Sequence, residues 1–469
     1  MGYLGSQSRS QLKKENGHHK IVLFPFPLQG HINSMLQLAS ILHSQGFNIC
    51  IVHTQYNSPN PRNFPHFTFN SFPDGLLETE YVSESDLLAF IARLNISCTV
   101  PFRDCLQKVL CDDSEDPVAC LITDGVWYFS QVVADELKIP RIVLRSTSIS
   151  SISAFSALSA LSEKGCLPIK DSELDKAVPE VPPLKMKDLP VVHTKNPEDL
   201  QQILANMGRE TRASSGLICN SSEELEGTKL AKARQAIPIP IFVIGPFHKY
   251  FIASSSSLLA QDMSSISWLN KQKPKSVIYV SLGSIASINA AKFLEIALGL
   301  VNSEQPFLWV VRPGSICGLH WLEHLPSSFL EMLNGRGHIV KWAPQQEVLA
   351  HQAIGGFWTH CGWNSTMESI CEGVPMICMP SFGDQKVNAR YVSDFWRVGL
   401  HLEDKLERGE IERTIRRLMA DPAGEAIRDR AVSLKDKVDQ CFKEGGSSYR
   451  SLYSLTGYLS SLSDSAFRG

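Results

Sequence analysis

The chain has 469 residues, more than one hydrophobic core usually organises, so two domains are expected. An apolar share of 43% and a charged share of 20% are those of an ordinary globular protein. A net charge of −3 excludes bulk electrostatic attraction to nucleic acid or to an anionic membrane.

Residues 1–19 are polar and lack the apolar segment of a secretory signal, so a loose tail and a cytoplasmic protein are expected. Ile21-Val22-Leu23-Phe24 has the short apolar run of a buried strand, stopped by Pro25 and Pro27. Ile32, Met35, Leu36, Ala39 and Leu42 recur at the helical period, and Gly46 closes that element before a strand from Phe47 to His53. Val118–Ile122, a helix from Trp127 to Leu137 and a strand over Ile142–Leu144 repeat the pattern. This rhythm predicts a parallel sheet covered by helices on both faces. It breaks at Phe247–Asp262, where the serine run Ser254–Ser257 reads as an exposed linker.

Alternation then resumes with strands at Val277–Val280, Phe307–Val311, Ile339–Val340, Gly356–Trp358 and Met376–Met379, and a helix near Ala291–Val301. Two helices, roughly Glu410–Leu418 and Ile427–Phe442, close the second half. The expected fold class is α/β, with two Rossmann-like, doubly wound domains facing a cleft. The boundaries expected are 20–246, a linker over 247–265, a second domain over 266–450, and a tail over 451–469 that can pack back on the first domain. No run of about 18 apolar residues predicts a membrane span. The 12 cysteines are scattered with no Cys-x-x-Cys pair, the pattern of buried thiols in a reducing compartment. Asn95-Ile96-Ser97 and Asn220-Ser221-Ser222 match the glycosylation pattern, a chance match without a secretory route.

Paired Rossmann-like domains serve several enzyme classes, so function must come from the site. An NAD(P) oxidoreductase calls for Gly-x-Gly-x-x-Gly after an early strand, but here Pro27-Leu28-Gln29-Gly30-His31 follows the first one. Gly335-Arg336-Gly337 precedes a strand and lacks the third glycine. There is no P-loop, and no Asp-x-Asp pair of the kind that clamps a cation on a nucleotide diphosphate.

The most specific pattern spans 44 residues, from Trp342 to Gln385. It reads Trp342-Ala343-Pro344-Gln345-Gln346, His351, Thr359-His360-Cys361-Gly362-Trp363-Asn364-Ser365-Thr366-Met367-Glu368 and Phe382-Gly383-Asp384-Gln385. A small-residue turn after the strand Gly356-Phe357-Trp358 leads into a helix, whose free N–H groups and dipole attract a phosphate. His360, Asn364 and Ser365 add donors at the same end, although Ser365 also suits a plain helix cap. Asp384 and Gln385 suit adjacent sugar hydroxyls or, equally by composition, a polar turn. A tryptophan such as Trp342 is by itself more often core than a stacking platform.

The segment resembles the signature box of plant family 1 UDP-glycosyltransferases in length, residues and spacing. The wider resemblance covers nearly the whole chain and is closest to the subgroup containing cytokinin and steviol-glycoside glucosyltransferases. It implies a GT-B fold and a UDP-sugar co-substrate with no cofactor and no metal. Trp342 would stack on uracil, Glu368 would hold the ribose hydroxyls, and His360, Asn364, Ser365 and Ser284 the phosphates. Ala343, Gln345 and Gly362 belong to the same donor site. Trp363, Asp384 and Gln385 would contact the sugar, with Gln385 favouring glucose. Ser146 and Thr147 resemble a position that touches the sugar from the first domain.

His31 follows the first strand, on the side of the sheet where ligands of open α/β folds bind, and Asp124 ends another strand of that sheet. Read alone, His31 fits a structural histidine and Asp124 a helix cap. The resemblance makes His31 the base, with Asp124 fixing its tautomer. In-line displacement of UDP would invert the anomeric centre and give a β-glucoside. Phe90, Leu94, Trp127, Phe129 and Phe155 suit either an apolar acceptor pocket or core. A cytokinin, a terpenoid or a phenolic is the expected acceptor, and the protein is expected to be monomeric, with no nucleic-acid or membrane partner. A catalytically silent UDP-sugar-binding protein is the reading from another class.

Overall fold

In a computed structural model of the chain, residues 19–76, 86–112, 116–190, 197–251, 256–316, 329, 333–402 and 406–466 are described. All but the last residue of the expected N-terminal tail, and Ser254 and Ser255 of the linker run, lie outside them. The chain divides into two compact units. One takes the described residues of 1–164, 192–258 and 439–469, the other those of 165–191 and 259–438.

The first unit is built on seven parallel strands: β1 (Lys20–Phe24), β2 (Asn48–Thr54), β3 (Thr68–Phe72), β4 (Val118–Asp124), β5 (Arg141–Arg145), β6 (Gly216–Cys219) and β7 (Ile241–Val243). Their spatial order is β3-β2-β1-β4-β5-β6-β7. Every residue of β1 is buried, as a continuous apolar run in a parallel sheet requires. The helix Gln29–Ser44 lays Ile32, Met35, Leu36, Ala39 and Leu42 on the sheet, and the chain turns at Gly46, where φ is 104°. Strand order reverses between β1 and β4, so the loops after these two strands flank a topological switch point, where open sheets bind ligands.

The second unit repeats the plan with β8 (Val277–Ser281), β9 (Phe307–Val310), β10 (Gly337–Val340), β11 (Ile354–Thr359), β12 (Met376–Cys378) and β13 (Gly399–His401). All are parallel, in the order β10-β9-β8-β11-β12-β13, and the reversal falls between β8 and β11. The helix Arg408–Met419 packs Ile411, Ile415 and Leu418 against the helix Ala290–Asn302 and the sheet.

Three boundaries differ from those read in the sequence. The described residues of 247–258 belong to the first unit: Phe247 is in its core, and the Leu258 N–H donates to Gln29 Oε1 at 2.7 Å. Residues 439–450 do too, because Ser448 Oγ–H donates to the Gly245 carbonyl at 2.6 Å and Ser447 Oγ–H to Glu224 at 2.7 Å. Residues 165–190 join the second unit. There Asp188 and Arg390 form a buried bidentate ion pair at 2.8 and 3.1 Å. The segment read as a tail is a helix, Ser447–Ala466, against β4 and β7. It buries Leu452, Leu455 and Leu459, each stabilising by roughly 1.5–3 kcal/mol.

Asn95 and Asn220 are both buried, so neither glycosylation match is presented to solvent. The eleven described cysteines are free thiols. Among the described residues no helix is long and apolar enough to cross a membrane.

Candidate active site

In the first unit, His31 and Asp124 meet at the switch point. Pro25 and Pro27 end β1, and His31 falls in the first turn of the helix that follows. Asp124 is the last residue of β4, next to β1 in the sheet. His31 Nδ1 lies 2.7 Å from Asp124 Oδ2, while Asp124 Oδ1 accepts the Val126 N–H at 3.0 Å. The Asp124 side chain is 2% exposed and that of His31 24%. With two acceptor oxygens on Asp124, the neutral ring carries its hydrogen on Nδ1 and its lone pair on Nε2. The helix-cap reading of Asp124 therefore accounts for only one of its two oxygens. Ser146, just past β5, places Oγ 3.1 Å from the same Nδ1, a second and longer acceptor. Thr147 Oγ1 is buried with no hydrogen bond.

In the second unit the loops after β8 and β11 meet at the other switch point. Cys361, at φ 63°, turns the chain so that β11 passes in three residues into the helix Trp363–Glu372. Gly362 at the N-cap has no side chain to offer the first-turn N–H groups, and that turn contains no acidic residue. The His360 ring lies between two glycines. A Cβ on Gly283 or on Gly362 would each come within 2.5 Å of its Nε2. Gly283 also needs its glycine for a φ of 80°. Burial pushes the His360 imidazole down to about 4, against a smaller pull from the Ser281 backbone. The ring is therefore neutral near pH 7 and offers a hydrogen bond, not a charge.

Behind this helix start runs a polar network. Gln345 Nε2 donates to Ser365 Oγ at 2.8 Å and to Glu368 Oε2 at 2.7 Å. Gln346 Nε2 donates to Glu368 Oε1 at 3.0 Å, and the Tyr279 hydroxyl to Gln345 Oε1 at 3.3 Å. Burial raises the Glu368 carboxyl above its ordinary range, and the two glutamine amides act against that rise. Each carboxylate oxygen can accept more than one hydrogen bond, so these contacts leave acceptor capacity for hydroxyls. Trp342 is half-buried just past β10, and Ala343 beside it is buried. Ser284 and Asn364 are half-buried at the two loop ends. Gln385 Oε1 accepts the Ser381 and Phe382 N–H groups at 2.9 and 3.2 Å. Asn388 Nδ2 donates to the Cys361 carbonyl at 3.0 Å and to Asp384 Oδ2 at 3.3 Å, tying Asp384 to the β11 loop.

Comparison with known proteins decides between the enzyme classes. Residues 243–432 match the family model for UDP-glucuronosyl and UDP-glucosyl transferases. UDP-glycosyltransferase 76B1 of Arabidopsis thaliana is 55% identical over 94% of this chain and 97% of its own length. UDP-glycosyltransferase 76G1 of Stevia rebaudiana is 48% identical over 94% and 97%. The chain belongs to the plant family 1 UDP-glycosyltransferases. Among solved structures, Phytolacca americana UGT2 complexed with UDP-2fluoro-glucose and pterostilbene has a TM-score of 0.78 at 26% identity. That likeness covers 94% of this chain and 100% of the other. The fold is thus the GT-B type of two Rossmann-like units, and the oxidoreductase alternative falls.

Within this glycosyltransferase several of the expected site residues have buried side chains. The Trp363 ring is buried against Trp396, with centroids 6.4 Å apart, at the start of its helix. Leu94 and Trp127 have no exposed surface. Trp127 stacks on Phe24 at 4.6 Å and donates Nε1–H to the Pro25 carbonyl, so it is core that holds the β1 loop, and Leu94 is core on its own helix. Phe90 and Phe129 join the same aromatic cluster and are nearly buried, whereas Phe155 is half-buried on its helix. Sequence reasoning missed Gly283 and Asn388. The spacing of Asn388, four residues after Asp384 on one helix face, is the signal that marks it. It also missed a small cavity of about 20 Å³ at the ends of β8 and β9, lined by Gly283, Phe293, Trp309 and Arg312 among others.

Proposed function

We propose that this enzyme transfers glucose from UDP-glucose to a hydroxyl of a small apolar acceptor, with inversion to the β-glucoside and without a metal ion. The observation that carries the proposal is the His31–Asp124 pair at 2.7 Å, which leaves Nε2 as the basic nitrogen. A protein that only bound a UDP-sugar would have no use for an oriented base.

The acceptor hydroxyl gives its proton to His31 Nε2 as its oxygen bonds the anomeric carbon. The bond from that carbon to the diphosphate oxygen breaks, and its electron pair leaves on UDP. Asp124 stabilises the imidazolium that forms. Attack opposite UDP turns an α-linked donor into a β-glucoside. The start of the helix Trp363–Glu372, neutral His360 and the Asn364 and Ser365 side chains would receive the diphosphate charge, which supports metal independence. Trp342 would stack on uracil, Glu368 would take the ribose hydroxyls, and Asp384 with Gln385 would read glucose. Gln385 keeps its amide nitrogen for that role, since its oxygen is held by two backbone N–H groups. The compound pterostilbene in the similar UGT2 complex supports a phenolic acceptor, beside the cytokinin and terpenoid classes.

A mixed acceptor panel with UDP-glucose, read by product mass and by the anomeric proton coupling of the product, tests this reading. A hexose mass increment with the large coupling of a β-glucoside is expected. An α-glucoside, or UDP-glucose binding without transfer to any acceptor, would overturn it.

A further inference from the structure

We propose that Glu226 is a positioning residue for the catalytic base, acting through Ser146; the proposal rests on the reading of His31 as that base. Glu226 is 3% exposed on the helix Glu223–Ala236, which kinks at this residue and turns its carboxylate toward the start of another helix, Ile149–Glu163. Its Oε2 accepts the Ile149 N–H at 2.9 Å and the Ser221 Oγ–H at 2.7 Å. Its Oε1 accepts the Ser150 N–H at 2.8 Å and the Ser150 Oγ–H at 2.6 Å. Four donors converge on two oxygens, at the positive end of a 15-residue helix.

An ordinary cap does not require this carboxylate. Ser148, the N-cap, already accepts the Ser151 N–H at 3.0 Å. What Glu226 adds is a grip on the two N–H groups that immediately follow the turn Ser146-Thr147-Ser148. The other end of that turn is fixed by β5, whose Leu144 pairs with Asp124 and whose Arg145 pairs with Cys219. Three residues held at both ends have little freedom, and the first of them sets Ser146 Oγ 3.1 Å from His31 Nδ1. The ring thus has two acceptors at Nδ1. Asp124 fixes the tautomer, and Ser146 limits rotation of the ring about that bond. Release of the helix start would let the turn relax and carry Ser146 away from the ring.

The test is a double-mutant cycle on kcat and on UDP affinity, with Glu226→Gln, Ser146→Ala and the pair. Glu226→Gln keeps the shape but sets an NH2 group against two donors. Misplacement of a reacting group by about an ångström costs up to about 100-fold, so Glu226→Gln is expected to lower kcat by about 10- to 100-fold. Affinity for UDP itself should stay within about twofold, because the nucleotide contacts lie on residues of the second unit. In the Ser146→Ala background Glu226→Gln should cost almost nothing further, since coupled residues are non-additive. Should Glu226→Gln fail to fold, Glu226→Asp, which keeps the charge one methylene shorter, enters the same cycle. An unchanged kcat in a folded Glu226 variant, or losses that multiply in the pair, would overturn the proposal. Multiplying losses beside an inactive His31→Ala remove only the Glu226 link, whereas near-normal turnover of His31→Ala removes the base itself.

Discussion

Replacing Asp124 with Asn exchanges one oxygen for an NH2 group and changes almost no volume. The amide oxygen can keep the Val126 N–H, now accepted at 3.0 Å, which leaves the NH2 facing His31 Nδ1 at 2.7 Å. Two N–H groups cannot share that line, so the ring moves its hydrogen to Nε2 and turns its lone pair inward. The nitrogen meant to take the acceptor proton is then blocked. Loss of a positioned base, or of its tautomer, costs about 10²–10⁴ in turnover. Stability should barely move, because one hydrogen bond at Nδ1 replaces another. A change of about 1 kcal/mol would shift the melting temperature by roughly 2–4 °C in a unit of 150–250 residues. Asp124→Ala differs, since it strips both hydrogen bonds from a buried position at about 1–3 kcal/mol each. Initial rates of UDP release with saturating donor and a hydroxyl acceptor, beside thermal melts and UDP titrations, separate these effects. An Asn variant with wild-type turnover would refute the tautomer argument, and one that melted as early as the Ala variant would refute the stability argument.

Trp342→Ala should weaken UDP binding by roughly 1–3 kcal/mol, the range for base–aromatic stacking, as read by calorimetric titration of a variant with native circular dichroism. Gly283→Ala puts a Cβ within 2.5 Å of His360 Nε2 at a φ of 80°. Backbone strain of about 1–2 kcal/mol and a displaced ring should lower UDP affinity. Gly457→Ala, where a Cβ meets nothing within 4 Å, should leave UDP affinity unchanged. Turnover should survive EDTA without added magnesium or manganese; loss on chelation and recovery with a divalent ion would contradict the helix-start account.

The parts of the fold legible in the sequence are those whose signal is local. β1 announces itself as an apolar run stopped by prolines, and the box from Trp342 to Gln385 carries fixed spacings. β3 does not, because TFNSF has only Phe72 buried and stands at the sheet edge. The helix Ser447–Ala466 was hidden by its serines, although Leu452, Leu455 and Leu459 keep the helical period. Residues 165–190 join the second unit through Asp188 and Arg390, which lie 202 positions apart, and no window of sequence holds both. Burial was the other blind spot. Periodicity could not tell whether Trp127 lined a pocket or filled a core, and its stacking on Phe24 is what decides it. The His31–Asp124 pair was partly legible: strand ends placed both residues at one sheet edge, and the resemblance named Ser146, while the contact of Ser146 with His31 and the place of Glu226 required the folded loops.

The central claim is that His31 is the base of a glucosyl transfer, and His31→Ala tests it most directly. Turnover of UDP-glucose with a hydroxyl acceptor and the Kd for UDP-glucose are measured on the same folded variant. The account predicts turnover lower by roughly 10²–10⁴ with the Kd little changed. Near-normal turnover would contradict it, because the 2.7 Å contact with Asp124 would then orient a histidine that does no chemistry.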